Sequence, residues 1–386
     1  MTYVNSYEFQ NTVRDLGDAF RAIVVNDPIL LNFLNESGFA TNTKHEWLED
    51  VITAKSWATD AAYTVADGTF TLVSTVWVKA GDILGFKKAS GASSTLQVKV
   101  VSVDSATAIT VSVYGWTTDE NLASGTTVSL ISRPKNESSV AEADNGGEPS
   151  VQYNYTQIFD RTAKVSKTAQ SVKMYGLDNA LNYEVSRQLA DLRYELVNAI
   201  IFGRRVQRNG SEAGTMWGML HFMEIANTAG ADNKINASAA ALSSTILNNG
   251  YEKGYKNGAT NLTTVLCGPK QARKISAFNT SGANPVIMKS ESSTQAGAYV
   301  SAFVADLPVQ GWMVGTILVV SNFPEDKILL LDNDRVNFMP LQGRSFTDSD
   351  ATPQGADFFA RRILGEYTLE FKNAGNAHIL IENLAI

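Results

Sequence analysis

Between Leu177 and Ile201 the apolar residues return every three or four positions: Leu177, Leu181, Val185, Leu189, Leu192, Leu196 and Ile200. That is the period of an α-helix with a single buried stripe. Asp178, Glu184, Arg187, Asp191 and Arg193 fall on the other faces, and Arg187 and Asp191 stand four apart, close enough to pair. Taken to outer limits of residues 174–204, the helix is about 46 Å long at 1.5 Å per residue. A helix of that length crosses a whole small domain, so the chain must build a layer along it as along a spine. Gly203 lets it stop.

Residues 62–131 have a different character. Charge thins out and Val, Thr and Ser dominate. Short strands are predicted at 69–73, 76–78, 83–87, 96–103, 109–114 and 127–131, separated by turn residues such as Ala66-Asp67-Gly68, Ala80-Gly81-Asp82 and Ser124-Gly125. Many short strands with frequent turns predict a small barrel or sandwich. Along one strand the apolar positions shift parity from Leu96, Val98 and Val100 to Val101 and Val103. A strand cannot change face without an extra residue, which predicts a β-bulge near Val100.

The rest of the chain alternates. An N-terminal arm with helical pieces leads to Pro28, a natural helix start, with Ile29, Leu30, Phe33 and Leu34 on one face. His45–Ile52 and Tyr153–Val165 read as strands. Residues 133–150 are polar and hold Glu137, Glu142, Asp144 and Glu148. Gly203, Gly210, Gly214 and Gly218 punctuate the segment after the spine helix. Helices are predicted over 239–255 and from Pro269 to Phe278, and a polar loop over 279–297. Strands are predicted at 263–267, 298–303, 316–320 and 327–331. The last strands, 363–371 and 377–381, flank a turn at 372–376.

The 386 residues allow one very large domain or two to three lobes. With 44% apolar and 18% charged residues the chain is no disordered polymer. A low charged fraction fits a surface largely covered by copies of itself. The net charge of −7 gives no global attraction for phosphate. No run approaches the ~18 apolar residues of a membrane span. The N-terminus lacks the pattern of a signal peptide, and a soluble protein made in a reducing cytoplasm is expected.

Catalytic signatures are missing. His45, His221 and His378 share no motif, and neither a His-Glu-x-x-His pair, a Gly-x-Ser-x-Gly elbow nor a phosphate-binding glycine loop occurs. No cofactor and no metal are expected. The single cysteine, Cys267, reads as a buried strand-end thiol. Asp332, Asp334, Asp348 and Asp350 lack the remaining ligands of a calcium loop and read as solvated turns. Arg204, Arg205 and Arg208 form the densest basic cluster. With Glu137, Glu142, Asp144 and Glu148 they are the candidate contacts between neighbouring subunits.

Several blocks stand in a telling order: His45-Glu46-Trp47-Leu48-Glu49-Asp50 preceded by Asp27-Pro28-Ile29-Leu30, then Asn154-Tyr155-Thr156-Gln157-Ile158-Phe159 followed by Val165-Ser166-Lys167-Thr168-Ala169-Gln170, and finally Gly365-Glu366-Tyr367-Thr368-Leu369-Glu370 with Ala377-His378. In order and spacing they resemble a family of tailed-phage major head proteins. The resemblance implies an α+β chain of the Hong Kong 97-like capsid fold. It places an N-terminal arm at 1–44 and an extended loop at 45–160, with the small all-β domain inserted at 62–131. It places a peripheral domain with the spine helix at 161–221 and 341–386, and an axial domain at 222–340. The implied function is a structural capsid protein, not an enzyme. It would self-assemble as hexamers and pentamers into the icosahedral head of a tailed phage, in the host cytoplasm, around double-stranded DNA held by weak non-specific contact. Separate scaffolding, portal and decoration proteins are possible partners. Other readings stay open: the shell of a bacterial nanocompartment, a carbohydrate- or host-binding protein using Trp57, Trp77, Trp116 and Tyr114, or an enzyme whose residues converge from afar.

Overall fold

The computed structural model describes residues 29–36, 38–50, 56–63, 68–87, 93–114, 122–135, 137, 149–172, 179–228, 231–259, 261–278, 302–306 and 314–386. The chain divides into two compact units: residues 1–49 with 151–386, and residues 50–150.

In the larger unit the spine helix α3 spans Ala180–Phe202, starting later than the stripe alone predicts. Asn179 explains the start: its side chain accepts from the backbone N–H groups of Leu181 and Asn182, as an N-cap does. Leu177 lies outside the described residues. Only the C-terminal half of the stripe is deeply buried, at Leu192, Leu196, Val197, Ile200 and Ile201. Arg187 pairs with Glu184 at 3.9 Å, one turn back, and not with Asp191.

This helix packs on a sheet ordered β1 (Asn35–Glu36), β16 (Val336–Pro340), β18 (Phe358–Phe371) and β10 (Gln157–Ser166), with β17 (Thr347–Asp350) also on β18. β10 and β18 pair antiparallel from Gln157 opposite Tyr367 to Ser166 opposite Phe358. Phe159, Ile363, Leu369 and Phe371 face the helix core. The short helix α1 (Ile29–Phe33) adds Leu30 and Leu34 to that core. β2 (Lys44–Glu49) pairs with β9 (Ser150–Tyr155). Within β2, Trp47 is buried and Leu48 exposed, so the period-2 face is that of Trp47. Tyr153–Val165, expected as one strand, is broken at Thr156 into β9 and β10.

A second sheet runs β11 (Lys234–Asn236), β19 (Ile379–Glu382), β15 (Ile328–Leu331), β12 (Thr264–Cys267), β14 (Val314–Val319), β13 (Ala302–Val304). Its central strands, Thr-Val-Leu-Cys and Ile-Leu-Leu-Leu, are buried on both faces. Leu266, Leu329, Leu331 and Leu380 face the spine-helix core. Val265, Cys267, Ile328, Leu330 and Ile379 face a second core with α5 (Ser244–Lys256) and α6 (Pro269–Ala277). α5 starts at Ser244, not Ala239, because Ser243 caps it and Ser238 and Ala239 hold positive φ. Most of the strand expected at 298–303 and the loop expected at 279–297 lie outside the described residues. The closing strands do not form a hairpin: β18 belongs to the first sheet and β19 to the second, so the turn between them links the two layers. Two further helices are α2 (Lys167–Ser171) and α4 (Met219–Thr228).

The smaller unit is a six-stranded sheet ordered β3 (Ser56–Ala58), β8 (Thr127–Ser132), β5 (Ile83–Lys87), β6 (Ser93–Val103), β7 (Ala108–Val113), β4 (Thr69–Thr71). The edges meet: Thr59 bridges Leu72, and the Val73 N–H donates to the Ala58 carbonyl at 3.0 Å, closing a small barrel. Its interior holds Phe70, Leu72, Leu84, Leu96, Val98, Val100, Ile109 and Val128. The register of β6 on β7 shifts between Val100 and Ser102, where the parity change predicts the bulge. The strand expected at 76–78 is instead a turn, with Trp77 at φ 71°. Arg133 donates to the Trp77 carbonyl at 2.6 Å and pairs with buried Asp82 at 2.7 Å, which holds the turn.

Candidate assembly junction

Of the blocks that carry the family resemblance, those at 45–49, 154–159 and 365–370 with 377–378 converge on one interlocked region of the larger unit. Asn154, fully buried, donates from Nδ2 to the carbonyls of Trp217 (3.2 Å) and Leu369 (2.8 Å). Its Oδ1 accepts from the backbone N–H of Trp217 at 2.8 Å and of Tyr155 at 2.9 Å. One amide side chain thus satisfies groups on β9, on β18 and at the entry to α4. Thr156 donates to Glu366 Oε1 at 2.6 Å, and Thr368 donates to the Tyr155 carbonyl at 3.1 Å. Glu366 is 1% exposed, and its two oxygens are held by Arg208 and Arg344, each at 3.0 Å.

Around Glu370 the first and last blocks meet. Burial alone raises the pKa of this carboxyl. His45, Asn337 and Lys372 overcome that and bring it down to about 2. His45 Nε2 lies 3.6 Å from its Oε1, Asn337 donates at 2.8 Å, and Lys372 stands at 3.1 Å. Glu49 accepts from Trp47 Nε1 at 2.9 Å and from the Asn373 backbone at 2.7 Å. His378 is stacked on Phe371 with centroids 4.1 Å apart. Its Nδ1 accepts from the Asp332 backbone at 3.2 Å, and Nε2 lies 3.2 Å from the Lys372 carbonyl. Complete burial, with the positive Arg335 nearby, pushes its pKa down to about 3, so the ring is neutral.

The arginine cluster divides in three. Arg205 lies between the rings of Tyr153 and Trp217, its guanidinium carbon 3.6 and 3.2 Å from their centroids, and donates to the Tyr153 carbonyl at 2.6 Å. This is a cation–π sandwich that closes β9 over the segment following the spine helix. Arg208 is engaged by Glu366. Arg204 is exposed, and among the described residues it has no ion-pair partner. Glu137 is exposed, and Glu142, Asp144 and Glu148 lie outside the described residues. Sequence reasoning missed Glu366, Arg344 and Asn154 as organising residues, because their partners stand far away along the chain.

Cys267 is buried, and burial with the nearby Glu325 carboxylate pushes its thiol up to about 12. Among the described residues no group of His, Cys, Asp and Glu is arranged to hold a metal ion. Asp332 and Asp348 are not simply solvated: Asp332 is 1% exposed and pairs with Arg335, and Asp348 on β17 pairs with Arg361. Of the aromatics considered for glycan binding, Trp57 is buried with Nε1 on the Val76 carbonyl, Tyr114 is exposed, and Trp116 lies outside the described residues.

A family model described as the SU10 major capsid protein matches residues 2–385. The chain belongs to the SU10 major capsid protein family. Solved structures resemble it at low identity. A structure from Mycobacterium phage Adephagia has 9% identity and a TM-score of 0.48, with 100% of this chain and 99% of that one covered. One from Microbacterium phage Oxtober96 has 10% identity and a TM-score of 0.47, covering 96% and 95%. The SrpI encapsulin of Synechococcus elongatus PCC 7942 has 12% identity and a TM-score of 0.43, covering 61% and 76%. No curated protein is significantly similar in sequence. As a major capsid protein the chain is structural, a component of the shell of the virion. The spine helix is the one that the Hong Kong 97-like fold implies, and it stands beside a long antiparallel strand pair and a second sheet. The junction ties these parts into one tile.

Proposed function

We propose that copies of this major capsid protein close into an icosahedral head of hexamers and pentamers around double-stranded DNA, assembling in the host cytoplasm and acting without any catalytic step. The observation that carries the reading is the family match over residues 2–385. The net charge of −7 suits a lining that encloses DNA without gripping it. Extended contacts between copies turn buried apolar area into lattice stability, at about 25 cal/mol per Å² before association costs. The 62–131 barrel braces neighbouring capsomers in this reading, and scaffolding, portal and decoration proteins are separate chains. Charged contacts between copies involve the acidic run of Glu137, Glu142, Asp144 and Glu148. Of the three clustered arginines, Arg205 and Arg208 already have partners within the chain, and only Arg204, with no ion-pair partner among the described residues, stays available to any carboxylate of a neighbouring copy.

Electron microscopy of the expressed, purified chain tests the proposal. Hollow shells of uniform size are expected. A chain that stays monomeric at millimolar concentration in every buffer tried would defeat it.

A further inference from the structure

Helix α6 presents a cationic pocket that the junction does not use. Lys270, Arg273 and Lys274 line an open cavity of about 460 Å³ together with Ala277 and Ile386, and among the described residues no acidic side chain lines it. The helix that carries the cations is anchored. Glu325 accepts from the backbone N–H of Lys270 at 3.0 Å and so caps the helix instead of neutralising the side chain. Gln271, fully buried, donates to the Glu325 carbonyl at 2.6 Å and to the Ala385 carbonyl at 3.2 Å, fixing α6 against the last residues. Lys274 donates to the same Ala385 carbonyl at 2.5 Å. Lys270 and Arg273 have no ion-pair partner among the described residues. Like charges gathered on one wall repel one another, and an anion seated between them relieves that repulsion. The side chains of Ala277 and Ile386, the latter residue 72% exposed, add a small apolar surface.

Cations beside a small apolar wall suit a carboxylate-bearing peptide with a short apolar side chain. A phosphate backbone is better served by a track of cations along a groove. The chain carries such a peptide. Residues 137–148 hold Glu137, Glu142, Asp144 and Glu148, no Lys or Arg, and Val140, Ala141 and Ala143 between the acids. We infer that the α6 pocket is a docking site for the acidic run 137–148 of a second copy. The inference rests on the reading that copies of this chain assemble together, and it names one contact between them.

The test uses the full-length chain before assembly and a fluorescent peptide of residues 137–148, followed by anisotropy. Saturable binding that weakens with added salt is expected. The double reversal Lys270→Glu with Arg273→Glu, at two exposed positions, lowers affinity by roughly tenfold or more. The same loss is expected when the peptide's acids are replaced by Gln and Asn, a change that leaves the protein untouched. The inference is overturned if the wild-type chain ignores the peptide or if the double variant binds it equally well. It is also overturned if a double-stranded DNA oligomer displaces the peptide and itself depends on Lys270 and Arg273. Shells in micrographs without peptide binding sink this inference alone, whereas a wild-type chain that makes no shells sinks the assembly reading.

Discussion

His378 shows how one buried ring sets the acid sensitivity of the tile. Its pKa falls from 6.5 to about 3 on folding because the ring is stripped of water and sits near Arg335. Between those values the unfolded chain binds a proton that the folded chain refuses. Stability is therefore complete above about pH 6.5 and falls as the pH drops through the window, by up to ~1.4 kcal/mol per pH unit. Glu370 acts lower down, between its ordinary 4.5 and about 2. The interval from pH 6.5 to 5 thus isolates the histidine. Urea midpoints at pH 7, 6 and 5 should decline for the wild-type chain and decline less for His378→Gln. Equal declines would show that another group carries the acid response. Nothing in the sequence around Ala377-His378 signals this burial, since the groups facing the ring come from Asp332, Phe371 and Lys372, at the ends of β15 and β18 in two different sheets.

The glycines after the spine helix matter at the scale of elements. The Gly218 N–H donates to the Gly203 carbonyl at 2.9 Å, so the segment entering α4 lies directly on the end of α3. A Cβ on Gly218 would stand 2.7 Å from the Gly203 nitrogen and from the Ile201 carbonyl, all backbone atoms that cannot swing away. Gly218→Ala should cost about 1–3 kcal/mol, the usual range for overpacking. Gly210→Ala, where nothing stands within 4 Å, is the matched control and should change little. Chemical denaturation of both variants checks this, and equal midpoints would refute the close-approach argument. The regular punctuation of this stretch is visible in the sequence, yet it does not say which glycine is under pressure. It also conceals α4, a ten-residue helix in which Leu220, Ile225 and Ala226 are apolar as well as the buried Met219, Phe222 and Met223, so that no single stripe stands out. Elsewhere a local rule was enough. The parity change in β6 located its bulge, and Pro269 located the start of α6. The arginine cluster shows the opposite case. Its spacing shows only a basic cluster, while Tyr153, Trp217 and Glu366, which capture Arg205 and Arg208, come from β9, the entry to α4 and β18.

At the scale of the whole molecule the chain divides where β2 meets β9. Residues 50–150 form the smaller unit, with its own closed barrel and its own core. They leave and re-enter the larger unit at the ends of two strands that pair with each other. Glu49 and Val151 therefore stand at neighbouring strand ends, where a short hairpin turn can join them. The junction that organises the tile draws on His45, Glu49, Asn154, Glu366, Glu370 and His378, none of which lies in the smaller unit. The larger unit should accordingly fold after residues 51–149 are replaced by a turn such as Asn-Gly, with its own unfolding transition preserved. If the barrel braces neighbouring capsomers, shells made from that variant should form yet melt at a lower temperature than wild-type shells, or dissociate at lower denaturant. Shells of unchanged thermal stability would remove the bracing role while leaving the tile intact. A variant that cannot fold as a free subunit would instead place part of the larger unit's stability in the barrel, against the separation of the two cores.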